Sequence, residues 1–217
     1  MKKLLIFDLD GTLLDTLGDL QNSVNFALSK KNYPLRSLEQ IRLAIGNGVS
    51  KLVERSIPNG ANNPDYIETL EGFKHHYSEN YKAITKPYDG VIETLKTLKN
   101  NYLLAVCTNK VQDVAEELIH LFFGDIFDFI QGDMELVNKK PAPDMINRTV
   151  KSLGISKTDC LYIGDTEVDE QTAKNSQVEY VLVSYGYRTL DELKIKTPNA
   201  RIVNDQKELI HFIKKQD

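Results

Sequence analysis

A chain of 217 residues, 41% hydrophobic and 27% charged, can bury a substantial core and does not have a disordered composition. Its 27 Lys and Arg against 31 Asp and Glu leave a net charge of −4 with no long block of either sign, which disfavours a nucleic-acid binder that works by phosphate neutralisation. No run of about 18 apolar residues is present to span a membrane, and Met-Lys-Lys leads into a run too short for a signal-peptide core, so a cytoplasmic location is expected.

In chain order, the first predicted element is a strand at Leu4 to Phe7, apolar without alternation, as suits a strand covered on both faces. Leu17, Leu20, Val24, Ala27 and Leu28 then mark a helix. Ser37 with Gln40 forms a capping box before Ile41 and Ile45, a further helical face follows Ser50, and Tyr66, Leu70, Phe73, Tyr77 and Tyr81 give another. Pro87 to Gly90 mark a turn. From there strands at Tyr102 to Cys107, Phe127 to Ile130, Cys160 to Ile163 and Tyr180 to Val183 alternate with helical faces. These faces are Val91, Leu95 and Leu98, then Val114, Leu118 and Leu121, then Ile146, Val150 and Leu153 with Gly154 as a stop. The order predicts an α/β fold with a doubly wound parallel sheet. Asp8 and Thr108, at the ends of the first two strands, lie 100 residues apart. A strand-helix-strand unit needs roughly 30, so about 70 residues form something else. All of their signals are helical, and they read as a small helical-bundle domain inserted after the first strand. The expected division is 1–14 with 86–217 as core and 15–85 as the insert.

In open α/β sheets ligands bind beyond the carboxyl ends of the strands, and that is where the reactive residues collect. Asp8 and Asp10 follow the first strand two residues apart, on one side of an extended chain, where two crowded carboxylates call for a divalent cation. An oxygen-only set suits Mg²⁺. Thr108, Asn109 and Lys110 end the second strand with a hydroxyl, an amide and backbone N–H groups at an expected helix start, able to receive an anion. Pro141 and Pro143 restrict the backbone beside Lys140. Asp165 leaves the fourth strand and Asp169 lies about one helical turn later, on the same side. Each cluster alone is compatible with an Asp-Gly turn, a helix cap or a surface lysine. Four of them in order, all at strand ends, point to one site.

Elsewhere the plainer reading is preferred. Cys107 and Cys160 sit in apolar runs and read as buried and reduced. His75 and His76 are adjacent on a helix and do not share a face, which argues against a metal pair. Tyr66, Tyr77 and Tyr81 read as packing within the insert.

Asp8-Leu9-Asp10-Gly11-Thr12-Leu13-Leu14-Asp15-Thr16, Thr108-Asn109-Lys110, Lys140-Pro141 and Gly164-Asp165-Thr166 through Asp169 resemble the four motifs of the haloacid dehalogenase superfamily of phosphohydrolases, and the insert resembles its helical, C1-type cap. The resemblance covers nearly the whole chain. Ile45-Gly46-Asn47-Gly48, Leu52-Val53-Glu54-Arg55, Lys139-Lys140-Pro141 and Ser184-Tyr185-Gly186-Tyr187 are most similar to bacterial phosphoglycolate phosphatases. Asn175-Ser176-Gln177 departs from the usual Ala-Gly after the fourth motif, which bears on local packing more than on catalysis.

The resemblance implies Asp8 as nucleophile and Asp10 as the acid and base. It implies Mg²⁺ on the Asp8 carboxylate, the Asp10 carbonyl and Asp165, with Asp169 binding through water or orienting Lys140. Thr108, the Asn109 backbone and Lys140 would hold the phosphoryl oxygens. In the cap, Gly46, Asn47 and Gly48 are either a helix-helix turn or a substrate loop, and Arg42, Lys51 or Arg55 is expected to meet a substrate carboxylate. A small phosphorylated metabolite is the expected partner, with neither nucleic acid nor membrane, in a monomer or homodimer.

Alternatives within the superfamily are a sugar-phosphate mutase or phosphatase, a pyrophosphatase and a broad phosphatase. No His lies between Asp15 and Asn47, which disfavours the mutase, and Asp10 disfavours a dehalogenase or a phosphonate hydrolase. A silent binding protein on the same fold is the remaining alternative.

Overall fold

Aliphatic runs covered on both faces make the inner strands. In the computed structural model, which describes residues 2–216, β1 (Leu4–Phe7), β2 (Leu103–Val111), β3 (Phe129–Asp133), β4 (Cys160–Gly164), β5 (Glu179–Val183) and β6 (Ile202–Val203) form a parallel sheet in the order β3-β2-β1-β4-β5-β6. Leu4 pairs with Leu103 on one side and Cys160 on the other, and Phe7 with Val106 and Ile163. Leu4, Leu5 and Ile6 are fully buried, as continuous apolar strands in a parallel sheet require. The chain runs from β1 outward through β2 to β3 and then crosses to β4 on the other side of β1. The switch point of the sheet therefore lies between β1 and β4.

Helices α5 (Val91–Lys99), α6 (Gln112–Phe123), α7 (Asp144–Leu153), α8 (Glu167–Ser176), α9 (Leu190–Lys196) and α10 (Gln206–Lys214) belong to the same unit. Met145, Ile146 and Val150 of α7 join Leu4, Ile6, Ala105, Cys107, Cys160, Tyr162 and Ala173 in a core cluster on the sheet. Gly154 ends α7 in the left-handed region at φ 65°, its N–H closing onto Val150 and Lys151 carbonyls. On α6 the buried stripe is Ala115, Leu118 and Ile119, and Leu121, expected inside, is 57% exposed. Of the expected face of Val114, Leu118 and Leu121, only Leu118 is in the buried stripe.

The second unit, Asp15–Lys86, holds α1 (Leu17–Ser29), α2 (Leu38–Ala44), α3 (Val49–Ser56) and α4 (Tyr66–Asn80), and the first comprises Met1–Leu14 with Pro87–Asp217. α1 packs against α4, with Leu20, Val24, Ala27 and Leu28 buried on one and Leu70, Phe73 and Tyr77 on the other. Both halves of the Ser37–Gln40 capping box form at the start of α2. Buried Asp19 accepts hydrogen bonds from the Ile84 and Thr85 N–H groups and from the Thr85 hydroxyl, so its burial is compensated. His76 Nδ1 lies 3.0 Å from Ser23 Oγ, and its ring stacks on Phe26 at 4.2 Å. Tyr77 stacks on Phe73 at 5.3 Å. These contacts make the histidine and the tyrosine packing groups.

Candidate active site

The carboxyl ends of β1, β2 and β4 bring together Asp8, Thr108 and Asp165, and α8 adds Asp169 from its first turn. Carboxylate oxygens of Asp8, Asp165 and Asp169 all lie within 4.8 Å of one another, and all three residues are buried. Lys140, 4% exposed, sits among them with Nζ 2.9 Å from Asp8 Oδ1 and 2.8 Å from Asp169 Oδ1. Its ammonium also donates to the Tyr162 hydroxyl at 2.9 Å.

Burial pushes the Asp8 carboxyl up to about 7, against the lowering pull of Lys140 and with a further push from Asp169 and Asp10. Asp165 is pushed well above the usual carboxylate range by burial and then by Asp169 and Asp8. Burial also opposes ionisation of Asp169, but Lys140 and Thr166 hold it below its ordinary value. Burial alone would lower Lys140, yet Asp169 and Asp8 outweigh it and raise the ammonium above its ordinary value. Three buried carboxyl groups thus share one lysine, and an oxygen-only donor set of this kind fits a hard divalent cation.

Each carboxylate has its own fixing contacts. The Leu9 N–H donates to Asp8 Oδ1 at 2.7 Å, so this bond and the Lys140 bond fall on the same oxygen. Asp165 accepts from the Tyr187 N–H at 2.7 Å and from the Thr12 hydroxyl at 3.3 Å. Asp169 Oδ2 accepts from the Asp165 and Thr166 N–H groups and from the Thr166 hydroxyl, while Oδ1 accepts from Lys140 and from Tyr162 at 3.0 Å. Asp169 is thus held by five hydrogen bonds, one of them from Lys140. Gly11, at φ +89°, brings the backbone so near Asp165 that a Cβ would sit 2.3 Å from Oδ2.

Thr108 is buried, and its hydroxyl accepts from the Lys110 N–H at 3.2 Å. The expected helix start just beyond it is displaced: β2 continues extended to Val111 and α6 begins at Gln112. The Asn109 side chain brackets the Lys140 backbone, donating to its carbonyl at 3.0 Å and accepting from its N–H at 2.8 Å. Asp10 pairs with Lys110, whose Nζ lies 2.9 Å from Oδ1 and 3.0 Å from Oδ2.

The sequence reading gives no role to the Lys110 side chain, to Tyr162 or to the Tyr187 N–H, although Lys110 and Tyr187 stand in its motifs. Lys110 had a signal, since it lies two residues after Thr108 and so on the same side of an extended chain. Tyr162 reads only as a strand residue, and a main-chain donor carries no signal at all. Cys107 and Cys160 are buried free thiols, pushed by burial to about 12 and about 11.

Gly46, Asn47 and Gly48 lie in the second unit, between α2 and α3, with Gly46 at φ 124° and Gly48 at φ 80°. Arg55 reaches back to the Ala44 carbonyl and to Asn47 Oδ1, each at 2.8 Å, and so braces this loop. Arg42 pairs with Glu39 and Lys51 with Glu54.

The family model for haloacid dehalogenase-like hydrolases matches residues 5–183. A phosphoglycolate phosphatase of Pseudomonas savastanoi pv. phaseolicola is 35% identical over 217 residues, covering 97% of this chain and 79% of that protein. One of Mesorhizobium japonicum is 33% identical over 191 residues, covering 86% and 84%. A crystal structure from Lactobacillus delbrueckii subsp. bulgaricus superposes with a TM-score of 0.92 at 32% identity, covering 98% of this chain and 99% of that one. That of a predicted phosphoglycolate phosphatase from Haemophilus somnus gives 0.87 at 29%, with 98% of both chains covered.

With the fold and the acid-rich site described above, these matches show that the chain belongs to the haloacid dehalogenase-like hydrolase family. Within that family it is a phosphatase.

Proposed function

We propose that the chain is a Mg²⁺-dependent phosphomonoesterase that hydrolyses 2-phosphoglycolate to glycolate and phosphate through a phosphoaspartate on Asp8. The observation that carries this reading is the convergence of the buried Asp8, Asp165 and Asp169 carboxylates within 4.8 Å, beside Lys140 and Thr108. The substrate is proposed from the 35% identity to the Pseudomonas phosphoglycolate phosphatase.

Asp8 attacks phosphorus and forms a new P–O bond as the bond to the substrate alkoxide breaks. Asp10 gives the departing alkoxide its proton and then takes one from the water that attacks phosphorus and releases Asp8. The Thr108 hydroxyl, the Asn109 backbone and the Lys140 ammonium hold the phosphoryl oxygens and offset their charge. Asp169 orients Lys140 and Tyr162 supports it, at the distances given above. The Asp8 and Asp165 carboxylates and the Asp10 carbonyl would hold Mg²⁺. Bound there, the cation supplies the positive charge that lets an anionic nucleophile meet an anionic ester.

The proposed division of labour puts chemistry in residues 1–14 and 86–217 and substrate choice in the cap at 15–85. In the cap, Gly46, Asn47 and Gly48 form the substrate loop and Arg42, Lys51 or Arg55 meets the substrate carboxylate. We further propose a cytoplasmic monomer or homodimer. Its partner is a small phosphorylated metabolite rather than nucleic acid or membrane, and no helix among the described residues is long and apolar enough to cross a membrane.

The test is turnover of 2-phosphoglycolate, β-glucose 1-phosphate, pyrophosphate and p-nitrophenyl phosphate with Mg²⁺, and again after chelation. Phosphoglycolate is expected to have the highest kcat/KM, with activity lost on chelation and restored by Mg²⁺. Equal turnover of the generic ester would withdraw the substrate, and full activity after exhaustive chelation would withdraw the metal.

A further inference from the structure

We propose that Lys110 is a positioning residue that fixes where the Asp10 carboxylate points, an inference that rests on the acid and base role given to Asp10 above. The Lys110 ammonium bridges both oxygens of Asp10, at 2.9 and 3.0 Å. Lysine is normally solvated, and burying its charge is unfavourable unless a partner meets it, yet Lys110 is only 7% exposed.

The backbone is arranged to bring it there. Between the pairs Cys107 with Gln131 and Val111 with Asp133, β2 advances four residues while β3 advances two. An irregularity of this kind re-aims the side chains it carries. It lies at Thr108, Asn109 and Lys110, and Lys110 leaves it paired with Asp10. Asp10 lies beyond the end of β1, in the turn bridged to Leu14, so the regular sheet does not set its rotamer. A two-point ion pair from the neighbouring strand does. An acid that must reach a leaving oxygen in one half of the reaction and a water in the other depends on such placement before anything else.

The leaving group separates this role from general support of the fold. kcat/KM reports only the steps up to departure of the alcohol, and p-nitrophenolate leaves without a proton whereas an alkyl alkoxide needs one. In K110M, kcat/KM for the alkyl ester best turned over by the wild type is expected to fall about tenfold or more, and for p-nitrophenyl phosphate no more than about threefold. D10N should show the same split, and K110R, which keeps a charged donor, should recover part of the alkyl-ester rate. Equal losses on both esters, or no loss on either, would overturn the proposal. If K110M does not unfold cooperatively on heating, K110R is read instead, with a smaller split in the same direction expected and equal losses again decisive. D8N distinguishes the two levels. Retained turnover in D8N removes the covalent mechanism itself, whereas an inactive D8N beside an unsplit K110M removes only the role of Lys110.

Discussion

Asp165 lies against two backbone positions where only a hydrogen fits. Beyond Gly11, a Cβ at Gly186 would come 2.1 Å from the Gly11 carbonyl and 2.6 Å from Asp165 Oδ2. The next residue, Tyr187, uses its N–H to hold that carboxylate. The loop after β5 thus sets the third carboxylate of the site by close approach rather than by side-chain chemistry. Gly186→Ala is therefore expected to lower kcat/KM at least tenfold and to destabilise the fold by about 1–3 kcal/mol through overpacking, measured by kinetics and by denaturant unfolding. Near-normal activity in this variant would mean the loop can move away at little cost. The acids themselves were legible because their spacing matches strand and helix periods: Asp8 and Asp10 two apart, Asp165 and Asp169 four apart. The groups that hold them were not. Tyr162 carries its hydroxyl into the cluster from a strand that reads only as core, and the Tyr187 donor belongs to the main chain.

At the level of elements, strands were legible where their residues are apolar and lost where they turn polar. β2 runs on through Thr108, Asn109 and Lys110 to Val111, because its pairing with β3 resumes at Asp133 after the irregular stretch. A polar triplet after an apolar run looks like a helix cap from sequence alone, since caps and site residues draw on the same side chains. On α6 the expected face and the buried stripe share only Leu118, because several apolar residues lie on that helix and periodicity alone does not select among them. The departure at Asn175-Ser176-Gln177 has a local consequence. Gln177 closes α8 in the left-handed region, at φ 58° and ψ 42°, where a Cβ is disfavoured. Replacing it by glycine is expected to stabilise the protein by about 0.5–1 kcal/mol, seen as a rise in Tm with kcat unchanged. A fall in Tm would show that the Gln177 side chain contributes more than its backbone costs.

Across the whole molecule, an interval of 100 residues separates Asp8 from Thr108, and within it Asp15–Lys86 forms a compact unit of four α-helices. Arithmetic on chain length suffices there because a strand-helix-strand crossover has a narrow size range. The net charge of −4 is less informative than its placement. Asp8, Asp165 and Asp169 are gathered where Lys140 meets two of them directly, and a divalent cation in that cluster would turn an acidic site into one that accepts an anion. In the proposed mechanism the phosphoryl group passes through Asp8. The most direct measurement is acid quench during turnover of 2-phosphoglycolate with Mg²⁺, followed by mass spectrometry of the peptide that contains Asp8. One added phosphoryl group is expected on that peptide in the wild type, and neither the adduct nor turnover in D8N. Undiminished turnover by D8N, with no phosphorylated peptide in either protein, would contradict it.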